Sequence, residues 1–139
     1  SLLDPNAVGW DWVGMNLDDG SALTGFRLRS ADGGTVYAGG SFRSPGRATR
    51  NFNADEVRFT PGRVWTSPAS RAPYPVEWKI DTPVGRYTVK SLLDAQELDS
   101  RASTGAIYWE GLSELQDDSG QRMGQGYLEM TGYAGRLSL

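Results

Sequence analysis

The chain contains, at residues 105–133, the stretch GAIYWEGLSELQDDSGQRMGQGYLEMTGY. Two runs rich in aromatic and apolar residues flank the cluster Asp117-Asp118-Ser119-Gly120, whose residue types are typical of a chain reversal. The pattern predicts an antiparallel hairpin with strands at 105–115 and 121–133. Each strand carries one carboxylate, Glu110 or Glu129, beside large aromatic side chains, where a charged group is costly to keep.

Alternating segments of the same kind recur along the rest of the chain, separated by turn-forming Gly, Pro and Asp residues. They predict further strands at 8–17, 22–29, 35–43, 56–60 (continued at 64–66), 76–81 and 86–91. Residues 92–100 fit either a short helix or an extended connector. With the hairpin this makes eight strands, so we expect an all-β, eight-stranded antiparallel barrel; a β-sandwich fits the same count. The 139 residues suffice for one domain, 1–139.

Two absences narrow the chemistry, because the chain has neither Cys nor His. A disulfide framework, Ser-His-Asp and Cys-His nucleophilic sites, and zinc sites of the His or Cys type are therefore excluded. Proton transfer would have to use Asp, Glu, Tyr, Lys, Arg or water. The net charge of −3 disfavours a nucleic-acid partner, and no apolar run is long enough to span a membrane as a helix.

The predicted strands place several polar residues where they need an explanation. Asp11 shares a strand face with apolar residues such as Val13 and Met15, so it is either a structural hydrogen-bonding group or a functional acid. Arg27 and Arg29 share one face of the second strand, where they form cross-strand ion pairs or bind a carboxylate ligand. Trp78 lies between Val76 and Ile80 on an alternating face, which predicts a core position.

The final hairpin divides into two faces, and alternation alone does not decide which of them points inward. One face carries Tyr108 and Glu110 on the first strand and Tyr127, Glu129, Thr131 and Tyr133 on the second. If this face points inward, the barrel holds two carboxylic acids among phenols. If it points outward, Trp109, Leu128 and Met130 fill an ordinary core.

Several motifs together resemble the carotenoid 1,2-hydratase family, also called hydroxyneurosporene synthase-like or "predicted secreted hydrolase" proteins. The motifs are Trp10-Asp11-Trp12, Leu17-Asp18-Asp19-Gly20, Phe26-Arg27-Leu28-Arg29, Tyr74-Pro75-Val76-Glu77-Trp78, Gln96-Glu97-Leu98, Tyr108-Trp109-Glu110-Gly111 and the run from Gly126 to Tyr133. The resemblance implies a lipocalin-like barrel that forms the C-terminal half of a longer protein, after a homologous domain. For localisation it suggests a secreted, periplasmic or membrane-associated protein; the residues themselves leave this unknown.

The resemblance also implies activity on a large hydrophobic, polyene- or terpenoid-like ligand without a cofactor. The reaction would be hydration of a carbon–carbon double bond, as in a lyase, or cyclisation, as in a Diels–Alderase. Hydration needs an acid that protonates an alkene, which a Glu or Asp kept neutral by an apolar site can supply. The catalytic candidates are Glu110, Glu129 and Asp11, and the substrate-binding candidates are Trp12, Tyr108, Trp109, Tyr127 and Tyr133. The rival hypothesis is a non-catalytic barrel that binds a hydrophobic ligand or serves only a structural purpose.

Overall fold

The computed structural model describes residues 5–103 and 105–135, and nearly all of its regular structure is β-strand. The strands are β1 (Ala7–Leu17), β2 (Ala22–Ser30), β3 (Thr35–Arg43), β4 (Arg50–Phe52), β5 (Arg58–Pro61), β6 (Val64–Thr66), β7 (Pro73–Pro75), β8 (Glu77–Thr82), β9 (Gly85–Ser91), β10 (Glu97–Ser100), β11 (Ala106–Asp117) and β12 (Arg122–Thr131). A single 3₁₀ turn, Ala54–Glu56, is the one helical element among the described residues.

Ten of the strands form one antiparallel sheet in the order β4-β3-β2-β1-β12-β11-β9-β8-β5, with β10 pairing to β11 beside this path. Strands β6 and β7 form a separate two-stranded ribbon. The expected all-β antiparallel fold is confirmed, and the final hairpin is its β11–β12 pair.

The large sheet is not closed into a barrel, since its end strands β4 and β5 do not pair with each other in the described part of the chain. Both end strands are short, with three and four residues, and β5 ends at Pro61. Proline has no backbone N–H to donate, so it disfavours a further pairing at this edge. The arrangement is consistent with a lipocalin-like or sandwich-like fold.

The sheet rolls so that one face encloses the core. Phe59 of β5 reaches across to β2, where its ring lies about 3.5 Å from the position a Cβ would take on Gly25. Phe59 also meets Trp78 edge-on, with ring centroids 5.8 Å apart. Trp78 is fully buried, which confirms its predicted core position. The same interior holds Val13, Met15, Ile80, Val89, Trp109, Leu115, Leu128 and Met130.

The glycines of β12 serve strand packing. A Cβ on Gly126 would overlap the carbonyl oxygen of Gly14, and one on Gly124 would overlap that of Asn16. The backbone of β1 therefore occupies the space beside these glycines, and a side chain at either position would collide with it.

Three strands that the sequence pattern did not indicate are β4, β7 and β10. Each has only three or four residues, too few to show a period of two. β7 includes two prolines and lies between the strands that the sequence predicts at 64–66 and 76–81. β10 shows that the end of the ambiguous segment 92–100 is extended and pairs with β11.

A half-buried carboxylate, that of Glu97, fastens β10 to the β6–β7 ribbon. The Glu97 carboxylate accepts hydrogen bonds from the hydroxyls of Ser67 and Ser70 and from Tyr74 Oη, the last at 2.6 Å. Burial alone raises the pKa of Glu97 and is the largest single effect, but the three hydroxyl donors together outweigh it and lower that pKa. The ionised form of Glu97 is therefore the one that the folded protein stabilises.

Replacing Trp78 by Ala should lower the free energy of unfolding by about 3–5 kcal/mol, the usual cost of truncating a buried large aromatic. The control is Tyr127→Ala, because Tyr127 is 52% exposed and such surface changes typically cost within about 0.5 kcal/mol. Urea denaturation measures both variants. A loss below a fifth of the expected value for Trp78→Ala would show that its side chain is not part of the core.

Replacing Glu97 by Gln should reduce the dependence of stability on pH in the acid range. Because folding lowers the pKa of Glu97, its contribution is complete above the ordinary value of 4.5 and is lost as the pH falls through the folded pKa. Urea midpoints measured between about pH 5 and pH 3 should fall less steeply for Glu97→Gln than for the unchanged protein. The exposed Asp55→Asn serves as control, and equal slopes for all three proteins would contradict the assignment.

Candidate functional site

Asp11 lies in the interior of the rolled sheet, at 0% exposure, with three side chains donating to its carboxylate. Oδ2 accepts from Arg27 Nε at 2.8 Å, and Oδ1 accepts from Arg29 Nη1 at 3.1 Å and from Tyr133 Oη at 2.8 Å. Contacts of a carboxylate with two guanidiniums are the geometry of an ionised group. The expected ion pairs of Arg27 and Arg29 are therefore present, and their partner is Asp11.

The β1–β2 hairpin sets this geometry. Its register places Asp11 directly opposite Arg27, and Arg29 opposite Gly9 two positions along. Because side chains alternate across a strand, both arginines point to the same face as Asp11. This face is the inner one, where Val13 and Met15 continue the row of buried side chains on β1.

Further contacts fix the two guanidiniums. Arg29 Nη2 donates to the carbonyl oxygen of Thr131 at 2.7 Å, and Arg27 Nη1 donates to Thr35 Oγ1 at 3.2 Å. The Arg27 Cζ atom lies 5.0 Å from the ring centroid of Trp78, and the Arg29 Cζ atom lies 3.7 Å from that of Tyr133. Both distances are those of cation–π pairs, so each arginine is held between a carboxylate and an aromatic ring.

Tyr133 reaches this cluster because the chain turns at Gly132. Gly132 has a φ of 84°, a left-handed conformation that favours glycine, and it follows the last residue of β12. Strict alternation would have kept Tyr133 on the face of Tyr127 and Glu129, and the turn sends it inward instead. Burial, and then the negative charge of Asp11, raise the pKa of the Tyr133 phenol, so its O–H remains a donor.

A recess of about 380 Å³ opens next to this cluster. Arg27, Arg29, Trp78 and Tyr133 form its polar and aromatic walls. Its remaining lining comes from the ends of strands and from the β2–β3 turn, with Val8, Ser30, Ala31, Asp32, Gly33, Pro61, Pro75 and Gly132. The volume lies at the lower end of the usual range for small-molecule sites, about 300–1,000 Å³.

Glu110 and Glu129 lie on the opposite, outer face of the sheet. They stand directly across from each other in the β11–β12 pair, and both are half-buried. Glu129 Oε1 accepts a hydrogen bond from Trp10 Nε1 at 2.9 Å. The inward orientation of the Tyr–Glu face is therefore not observed, while the catalytic role of the two acids stays a prediction.

The predicted substrate-binding residues fall into three groups. Trp12, Tyr108 and Tyr127 belong to the outer face, beside Glu110 and Glu129. Trp109 is fully buried in the core, where its Nε1 donates to the carbonyl oxygen of Asp94 at 2.7 Å. Of the five, Tyr133 alone lines the recess. Trp78 and the two arginines complete the recess. The sequence indicated Trp78 as a core residue and the arginines as ion-pair partners or as groups that bind a carboxylate ligand.

The arrangement can bind and orient a polar group, because two guanidiniums face a single buried carboxylate. Both oxygens of Asp11 accept hydrogen bonds, and Asp11 does not line the recess, while its catalytic role stays a prediction. Within residues 5–103 and 105–135, no group of three or more acidic side chains is placed to hold a metal ion. No helix in the same residues is long and apolar enough to cross a membrane.

Replacing Asp11 by Asn should destabilise the protein by about 3–5 kcal/mol, because it leaves two buried guanidiniums without their counter-charge. Thermal or urea unfolding measures the effect. The matched control is Asp99→Asn, which breaks an exposed ion pair with Arg101 and should leave the unfolding midpoint unchanged. Equal behaviour of the two variants would show that the Asp11 cluster is not a buried charge network.

Solved structures share this architecture. A crystal structure of a protein from Nitrosomonas europaea assigned to AttH matches with a TM-score of 0.88 and 48% identity, over 94% of this chain and 41% of that chain. Kievitone hydratase from Nectria haematococca matches with a TM-score of 0.70 and 19% identity, over 93% of this chain and 40% of that chain. The chain thus spans about two-fifths of the length of both proteins.

The hydratase comparison shows the fold alone, because its sequence identity is low. No curated protein sequence matches the chain. A family model described as AttH-like matches residues 1–133, nearly the whole sequence. The chain therefore belongs to the AttH-like family.

Proposed function

We propose that the chain is part of a hydratase-like protein and that the recess beside Asp11 binds an apolar, unsaturated ligand. The AttH-like family and the fold shared with kievitone hydratase support a hydratase-like activity. More specifically, we propose that this ligand is a polyene or terpenoid of the carotenoid type, as the sequence resemblance implies.

The observation that carries the proposal is the composition of the recess. Small-molecule sites are mostly apolar concavities with a few polar groups that fix the orientation of the ligand. Here Trp78, Tyr133 and the residues of the rim supply apolar contacts, and Arg27 and Arg29 supply the polar ones. At about 380 Å³ the recess holds one end of a long polyene, with the remainder outside it.

Hydration agrees better with this recess than cyclisation does. A cyclase that works by shape needs mainly an apolar cavity that enforces a folded conformer. The walls of this recess instead include two guanidiniums, so it is less suited to that role. Neither reaction as proposed calls for a cofactor.

The recess itself offers no strong acid. The Asp11 carboxylate already accepts from Arg27, Arg29 and Tyr133, and burial raises the pKa of the Tyr133 phenol. The proton donor of the proposal is therefore Glu110 or Glu129 on the outer face, acting on a double bond in the part of the ligand that lies outside the recess. Because the two solved relatives are more than twice as long as this chain, we propose that it forms the C-terminal half of a longer protein whose other domain covers these acids.

One observation favours a second candidate, a non-catalytic binding or structural domain. The Asp11 cluster joins β1, β2, β8 and the segment after β12, which is what a purely structural charge network would do. In that case the recess binds a ligand without changing it, or binds none.

Extraction of the purified complete protein with an organic solvent, followed by mass spectrometry, tests the proposal. We expect an unsaturated apolar molecule or its hydrated product. Incubation of that molecule with the protein in heavy-oxygen water should place one heavy oxygen in the product. Recovery of a ligand that never gains oxygen would favour the binding domain, and recovery of none would favour the structural one.

In the complete protein, Glu110→Gln or Glu129→Gln should lower the rate of hydration by about 10²–10⁴, the usual contribution of general-acid catalysis, with ligand affinity unchanged. We favour Glu110, because the described residues leave it without the tryptophan hydrogen bond that holds Glu129. Glu114→Gln is the matched control, because Glu114 lies further along β11 and its side chain is on the same outer face of the sheet as that of Glu110. Full activity in both Gln variants would exclude these acids and direct attention to the other domain.

A further inference from the structure

We infer that the recess selects a ligand whose polar end is a carboxylate, bound by Arg27 and Arg29. This inference deepens the proposed function, since it rests on the recess being the ligand site. It specifies the substrate class as an apolar monocarboxylic acid.

The buried charges are the first support. Two guanidiniums face one carboxylate, that of Asp11, and all three groups are more than nine-tenths buried. The wall of the recess formed by the arginines therefore carries an excess of one positive charge. A buried charge is costly unless it is paired, so a singly charged anion bound at this wall would balance the excess.

Asp32 on the rim does not supply that complement. It is exposed to solvent, and its Oδ1 accepts from Ser30 Oγ and from the backbone N–H of Gly34 within its own turn. Solvent and salt screen such an exposed charge from the buried guanidiniums of Arg27 and Arg29.

Unused hydrogen-bond donors are the second support. Arg27 donates through Nε and Nη1, and its Nη2 has no acceptor among the described residues. Trp78 Nε1 is a buried donor that also lacks an acceptor there. Both side chains line the recess, and the unmet buried donor of Trp78 costs about 1–3 kcal/mol.

The remaining donors of the site suit a carboxylate. Arg27 Nε and Nη1 and Arg29 Nη1 and Nη2 already donate to groups among the described residues, which leaves Arg27 Nη2 to donate a charge-assisted hydrogen bond to a carboxylate oxygen. Hydrogen bonds to Asp11 and Thr131 and the two aromatic rings hold the guanidiniums in place before a ligand arrives. The apolar rim at Val8, Pro61 and Pro75 then receives the hydrocarbon part.

Two probes with the same hydrocarbon chain, decanoate and decanol, test the inference by isothermal titration calorimetry at pH 7, where the acid is ionised. We expect decanoate to bind at least about tenfold more tightly, since a charge-assisted hydrogen bond exceeds a neutral one by about that factor. Equal affinities would overturn the carboxylate inference and leave the proposed apolar site standing. Failure of both probes to bind would overturn the inference and the recess as the ligand site together.

Substitutions of Arg27 then test whether this side chain is responsible for the preference for decanoate over decanol. Arg27→Gln should remove most of the advantage of decanoate without weakening decanol, and Arg27→Lys, which keeps the charge, should retain part of it. Arg86→Gln is the control, because the Arg86 side chain is 73% exposed and lies outside the recess. An unchanged preference in a folded Arg27→Gln would overturn the assignment. If that variant does not fold, the comparison of probes in the unchanged protein still decides.

Discussion

The ionic hydrogen bonds of Asp11 hold together parts of the chain that strand pairing does not join. β2 and β8 lie far apart in the order of the sheet, yet Arg27 of β2 packs on Trp78 of β8. Tyr133, beyond the end of β12, returns to the same carboxylate. Replacing such a buried network by apolar side chains is often neutral or stabilising, so stability alone does not account for three buried charges. Because these charges lie beside a recess, we propose that the arginines bind a ligand there.

The unclosed, rolled sheet determines where that recess lies. Large apolar side chains fill the interior along β1, β11 and β12. The recess is confined to the end of the roll at which β5 stops at Pro61 and the β2–β3 turn begins. The outer face, with its acids and half-buried aromatics, forms a second and separate surface. If another domain of a longer protein covers this surface, binding and proton transfer would come from opposite faces of the same sheet.

Much of the fold was predictable because long strands alternate. Seven of the eight predicted segments correspond to the seven longest strands, and the eighth, 56–60 continued at 64–66, corresponds to the short β5 and β6. β4, β7 and β10 are too short to show a period. The pairing of Asp11 with Arg27 was also within reach of the sequence. A hairpin reversing at Asp18–Gly20 places residues opposite each other when their numbers add up to 38, as 11 and 27 do. The inward turn of Tyr133 was not predictable, because it depends on the left-handed conformation of Gly132, which interrupts the alternation.

The central claim, that the recess beside Asp11 is the ligand site, can be tested directly by nuclear magnetic resonance. The indole N–H groups of Trp10, Trp12 and Trp78 give separate signals, and they sample the outer face and the recess. Titration with decanoate should shift the signal of Trp78 and leave those of Trp10 and Trp12 in place. Shifts confined to Trp10 and Trp12 would contradict the account, because they would place the ligand on the outer face.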